Sequence, residues 1–107
     1  IAPRFLADDR QSCYHLYMLR IAKASEAQRD AIITAIAKRE VSVNVHFIPL
    51  PLLSFYKHEG HRMEDFPNTY KLYSTEISLP VYYDLTDAQV DEVIAAVKAA
   101  TAEVLNG

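Results

Sequence analysis

Histidine is the residue type best suited to proton transfer or metal binding here, because imidazole titrates near neutral pH. The chain has four, at His15, His46, His58 and His61. His58 and His61 lie three residues apart, but a zinc site requires three or four ligands, and the single cysteine, Cys13, is distant in the sequence. We therefore predict that these two are solvated loop histidines and that the chain has no metal site.

His46 differs from the other three because it closes a segment, residues 41–47, in which apolar and polar side chains alternate. A proline-rich turn follows at residues 47–51, and binding sites are commonly built where strands end in rigid loops. The pattern leaves two interpretations open, a binding-site residue or an ordinary surface histidine. His15 lies within a predicted strand, which is more typical of a hydrogen-bonded packing residue.

Other catalytic and cofactor motifs are missing from the sequence. With only two glycines, Gly60 and Gly107, neither a phosphate-binding loop nor a dinucleotide fingerprint can be formed. No serine lies in a nucleophile-elbow context, and no pair of acids is spaced for general acid and base work. Asp84 and Asp87 are typical of a turn and a helix start. We identify no catalytic residue from these patterns.

Composition is that of an ordinary globular domain. Of 107 residues, 50% are hydrophobic and 23% are charged, which argues against disorder. The net charge is −3 and the eleven basic residues are dispersed, so neither nucleic acid nor an anionic membrane is favoured as a partner. The lone Cys13 cannot form an internal disulfide; we expect it to be a small buried hydrophobe and the protein to be cytoplasmic.

The periodicity predicts a strand, a helix, a strand, two short helices, a strand and a final helix. Strands are expected at residues 14–21, 41–47 and 77–81, and short helices at residues 52–58 and 70–76. Ser25 with Gln28 and Thr86 with Gln89 have the spacing of capping boxes, so longer helices should begin there. The predicted fold class is α+β, a small mostly antiparallel sheet of about three strands packed with helices, in one domain spanning residues 1–107.

Three stretches carry a resemblance to a known family. They are the strand Tyr14-His15-Leu16-Tyr17-Met18-Leu19-Arg20-Ile21, the turn Val45-His46-Phe47-Ile48-Pro49-Leu50, and the segment Asp65-Phe66-Pro67-Asn68 followed by Ile77-Ser78-Leu79-Pro80-Val81-Tyr82. In order and spacing the chain resembles the C-terminal segment of the DegT/DnrJ/EryC1/StrS aminotransferases. That family often has tyrosine where Phe47 stands and a second histidine where Pro51 stands.

The resemblance implies the C-terminal small domain of a fold-type-I, pyridoxal-phosphate-dependent aminotransferase. Such an enzyme would move an amino group from glutamate to a nucleotide-linked keto-sugar, as a cytoplasmic homodimer. The catalytic lysine and the cofactor contacts would belong to a large N-terminal domain outside this chain, which alone would bind no cofactor and be inactive. His46 would contact the substrate, and Phe47 and Ile48 would form the pocket wall.

Two other classes of function are compatible with the composition and element pattern. A free-standing α+β module could bind a small metabolite, or an exposed apolar strand face could mediate self-association.

Overall fold

The computed structural model describes all residues from 1 to 107 and contains four α-helices and four short strands. Their order along the chain is β1 (Leu6–Ala7), β2 (Arg10–Gln11), β3 (Tyr17–Arg20), α1 (Glu26–Ala37), α2 (Ser54–His58), α3 (Pro67–Tyr73), β4 (Glu76–Leu79) and α4 (Asp87–Asn106). Two 3₁₀ turns, Leu50–Leu52 and Met63–Asp65, flank α2. The α+β class and the antiparallel pairing are confirmed.

The sheet is smaller than the sequence predicts. Strands β3 and β4 pair antiparallel, with Tyr17 opposite Leu79 and Arg20 opposite Glu76. The expected strand at residues 14–21 is shortened because Tyr14 adopts a left-handed backbone with φ of 57°, so the ladder starts only at Tyr17. A separate hairpin, β1 with β2, forms upstream and was not predicted.

The predicted strand at residues 41–47 is wrong except for one bridge, between Asn44 and Ser78. Beyond that bridge the backbone donors are taken by side chains. The Val45 N–H donates to Asn44 Oδ1 at 2.8 Å, and the His46 N–H donates to Glu76 Oε2 at 2.8 Å. Such side-chain acceptors compete with a strand ladder and end it.

Both capping boxes are confirmed and set the starts of the two long helices. Ser25 Oγ accepts from the Gln28 N–H and the Gln28 side chain accepts from the Ser25 N–H; Thr86 and Gln89 repeat the arrangement. Helix α1 ends at Ala37. None of the helices combines the length and the apolar character that a membrane-spanning segment requires.

The core lies between the inner face of β3 and β4 and the helices α1 and α4. Its buried apolar members are Ile21, Ala24, Ile32, Ala35, Ile36, Ile77, Val97 and Ala100. Only part of the apolar surface of α4 meets this core, since Val93 and Val104 pack on it while Val90 and Ile94 remain exposed. Cys13 is exposed in the loop between β2 and β3, so the expectation that it would be buried was wrong.

The chain exposes more surface than a compact monomer of its length. Its accessible area is 7865 Å², whereas about 6,000 Å² is expected. The radius of gyration is 15.5 Å, against about 13 Å for a typical domain of this size. A flattened shape with uncovered apolar side chains is typical of a unit that packs against further protein.

Candidate functional site

A groove of about 700 Å³ runs across the face of the β3–β4 sheet opposite the core. Its walls are the N-terminal segment, the turn after residue 45 and one side of α3. The lining residues are Pro3, Arg4, Met18, Arg20, His46, Phe47, Ile48, Pro49, Leu50, Thr69, Leu72, Tyr73 and Glu76. This volume is in the range of sites that bind small molecules.

The three residues predicted to meet substrate lie together on one wall of this groove. His46, Phe47 and Ile48 are consecutive and all three are exposed, with Phe47 at 70% of its maximum. The turn is stiffened by Pro49 and Pro51, whose rings restrict the backbone, and Pro51 lies inside a 3₁₀ turn. The wall is therefore an apolar surface exposed to the groove, with one imidazole at its edge.

A buried carboxylate that sequence reasoning missed holds this wall in place. Glu76 is only 7% exposed, and its Oε2 accepts the backbone N–H of His46 at 2.8 Å. Its Oε1 accepts the Ser78 hydroxyl at 2.6 Å. Since a buried carboxylate is costly unless hydrogen-bonded, these two donors explain how Glu76 is accommodated. The signal available in the sequence was an acid immediately before the strand predicted at residues 77–81.

Arg29 in α1 supports the backbone beneath Glu76. Its side chain is 1% exposed, and its Nη1 donates to the carbonyl oxygens of Tyr73 at 2.9 Å and of Glu76 at 3.1 Å. The guanidinium carbon lies 4.9 Å from the centre of the Tyr73 ring, within cation–π range. Nε also donates to Asp30 Oδ1 at 2.7 Å. Arg29 thus fastens α1 to the junction of α3 and β4.

Two tyrosines of α3 remain protonated at neutral pH. The Tyr70 hydroxyl donates to Glu26 Oε2 at 2.8 Å, and this hydrogen bond raises the pKa of Tyr70. Burial, followed by interaction with Glu26, raises the pKa of Tyr73, which lines the groove. Both phenols are therefore suited to hydrogen bonding and unsuited to acting as a base near pH 7.

The remaining histidines do not line the groove. His15, His58 and His61 are exposed, and the His61 ring lies 6.1 Å from the ring of Tyr56. No three side chains among histidine, cysteine, aspartate and glutamate are grouped as metal ligands. Asp87 lies in the first turn of α4, as its spacing predicts.

The residues present do not supply a cradle for pyridoxal phosphate. That cofactor requires a lysine for its Schiff base, and no lysine lines the groove. The chain's lysines, Lys23, Lys38, Lys57, Lys71 and Lys98, are all exposed.

Comparison with known proteins gives consistent results. Residues 2–98 match the DegT/DnrJ/EryC1/StrS aminotransferase family. The spore coat polysaccharide biosynthesis protein SpsC of Bacillus subtilis is 36% identical over 97 residues, which are 88% of this chain and 25% of SpsC. MJ1066 of Methanocaldococcus jannaschii is 40% identical over 92 residues, 84% of this chain and 24% of that protein.

Solved structures show the same relationship. Spr1654 of Streptococcus pneumoniae, assigned as a sugar aminotransferase, superposes in its PLP form with a TM-score of 0.93 and 36% identity, over 97% of this chain and 26% of that one. PseC of Helicobacter pylori, an aminotransferase of pseudoaminic acid biosynthesis, shares the fold with a TM-score of 0.69 and 22% identity. The chain spans about a quarter of the length of the relatives it matches.

Proposed function

The chain belongs to the DegT/DnrJ/EryC1/StrS aminotransferase family, and from this premise we propose that it is the C-terminal, substrate-facing domain of a sugar aminotransferase. The proposed enzyme uses pyridoxal phosphate to transfer an amino group from glutamate to a nucleotide-linked keto-sugar. Its proposed location is the cytoplasm, and its proposed assembly is a homodimer.

The observation that carries the proposal is the groove, in which an imidazole and an apolar wall face one cavity. In the proposed roles, His46 contacts a polar group of the sugar nucleotide, while Phe47 and Ile48 cover its apolar face and exclude water. The hydrogen bond from the His46 N–H to Glu76 holds this wall at a defined position before substrate arrives. Preorganisation of this kind lowers the entropic cost of binding.

The proposal divides the work between this chain and the rest of the enzyme. When bound, pyridoxal phosphate supplies an electron sink, and a lysine must hold it. No lysine faces the groove, which supports the proposal that this lysine lies in the N-terminal part of the enzyme and that this chain alone is inactive. About 1,900 Å² of accessible area beyond that of a compact monomer supports packing against that part or a second subunit.

Truncating the wall in the full-length enzyme tests the proposal. Phe47→Ala should raise KM for the sugar nucleotide by about 5- to 30-fold, since a lost aromatic contact is worth about 1–2 kcal/mol. The matched control is Phe55→Ala, which removes a ring of similar exposure, 66% against 70%, outside the groove. Equal KM values for the two variants would contradict the proposed substrate wall.

A further inference from the structure

We propose that Arg20, assisted by Arg4, forms an anion-binding subsite on the sheet side of the groove, which takes a phosphate or carboxylate group of a substrate. The inference rests on the proposed function, because it uses the same groove. It adds a charged contact that the apolar wall at residues 46–48 does not provide.

Arg20 lies in the groove without a partner for its charge. It lies on β3 two residues after Met18, so both side chains point to the same face of the sheet, and both line the cavity. The residue is partly buried, yet its guanidinium makes no ion pair and no hydrogen bond within the chain. The donors of the Arg20 guanidinium are therefore free to bind an anion in the groove.

The only carboxylate lining the groove is already engaged. Glu76 lies directly opposite Arg20 in the β3–β4 register, but its two oxygens accept from the His46 N–H and the Ser78 hydroxyl, and no ion pair joins it to Arg20. Each oxygen of Glu76 therefore has a partner other than Arg20, the turn for Oε2 and Ser78 of β4 for Oε1. Arg20 is left available to a ligand.

A second guanidinium enters the same cavity. Arg4 lines the groove, and its Nε donates to the carbonyl oxygen of Leu6 at 3.2 Å without pairing with any carboxylate. Two arginines against one carboxylate make the groove locally positive, although the chain as a whole carries a net charge of −3. A groove with positive charge attracts anions even though the whole chain is negatively charged.

The chemistry of the groove defines the ligand class. A guanidinium presents a planar fork of donors that matches phosphate and carboxylate oxygens, and it stays charged at every physiological pH. Most of the other side chains that line the cavity are apolar, Leu72 among them. The expected ligand therefore has an anionic head and an uncharged body, and its head is either a phosphate of the sugar nucleotide or a carboxylate of the amino donor.

Binding measurements on the full-length enzyme test the subsite with two probes, inorganic pyrophosphate and glutarate. In calorimetric titrations, Arg20→Gln should bind one of the two probes at least about tenfold more weakly than the native enzyme does. Loss of pyrophosphate binding assigns the subsite to phosphate, and loss of glutarate binding assigns it to a carboxylate. Arg20→Lys keeps the charge but not the planar fork of donors, so its affinity for that probe should lie between those of the native enzyme and Arg20→Gln. Arg4→Gln should weaken binding of the same probe by a smaller factor.

Arg62→Gln is the matched control, because Arg62 is an exposed arginine outside the groove. Unchanged binding of both probes by Arg20→Gln, or equal weakening by Arg62→Gln, would overturn the subsite. The comparison of Phe47→Ala with Phe55→Ala reports separately on the proposed function. If Phe47→Ala raises KM for the sugar nucleotide while Arg20→Gln binds both probes normally, the subsite fails and the proposed function stands.

Discussion

Replacing Arg29 by methionine should destabilise the chain more than replacing an exposed arginine by methionine. Methionine keeps the long apolar stem and removes only the guanidinium. The native side chain is 1% exposed and donates to two backbone carbonyl oxygens, those of Tyr73 and Glu76. The substitution therefore leaves two acceptors without donors at the junction of α3 and β4.

The expected loss follows from those contacts. Each hydrogen bond from a charged donor contributes about 1.5–3 kcal/mol, and the cation–π contact with the Tyr73 ring adds about 0.5–1 kcal/mol. Removing a buried guanidinium also removes its desolvation cost, which offsets part of this sum. The partner carboxylates of Glu26 and Asp30 are 33% and 62% exposed and can be solvated, so they add little. We expect a net loss of about 2–4 kcal/mol.

Equilibrium urea unfolding monitored by circular dichroism measures this loss. Arg29→Met should lower the transition midpoint with an unchanged slope, and Arg29→Lys should fall between, because an ammonium cannot span both carbonyls. Arg10→Met is the matched control, since Arg10 is 80% exposed in a surface pair, and it should change stability by less than about 0.5 kcal/mol. If Arg29→Met unfolds within about 0.5 kcal/mol of the native sequence, the reasoning about the two carbonyls is refuted.

Two further predictions concern Glu76 and Tyr70. Glu76→Ala removes the oxygen that accepts the His46 N–H, so amide exchange of His46 measured by NMR should accelerate by about tenfold. Ser78→Ala keeps that acceptor and should leave the amide protected, and an unchanged rate in Glu76→Ala would contradict the bond at 2.8 Å. Tyr70 has a raised pKa in the folded state, so its bond to Glu26 stabilises the protein below pH 10 and is lost as the pH rises through that pKa. The stability gap between the native sequence and Tyr70→Phe should therefore close above pH 10, and a gap that widens there would reverse the assigned sign.

Local features of the sequence predicted where the two long helices begin, whereas the short helix expected at residues 70–76 lies at Pro67–Tyr73 and β4 begins at Glu76. The capping boxes at Ser25 and Thr86 are both present, because a capping box joins residues three apart and depends on little else. The segments that carry the family resemblance were equally readable, since the matched region extends over residues 2–98. The sequence also indicated the turn at His46, because an alternating segment ends there in prolines.

The tertiary structure decided which polar groups are buried and what they hold. Period-two alternation at residues 41–47 showed which side chains could face inward, but not that the N–H groups of Val45 and His46 would donate to side chains and end the ladder. Arg29 and Glu76 read as ordinary charged residues, yet the fold buries both. They lie 47 positions apart, and a hydrogen bond over that separation exists only after α1 has packed on β4. The helices and the family therefore follow from short-range pattern, while the groove and its support depend on long-range packing.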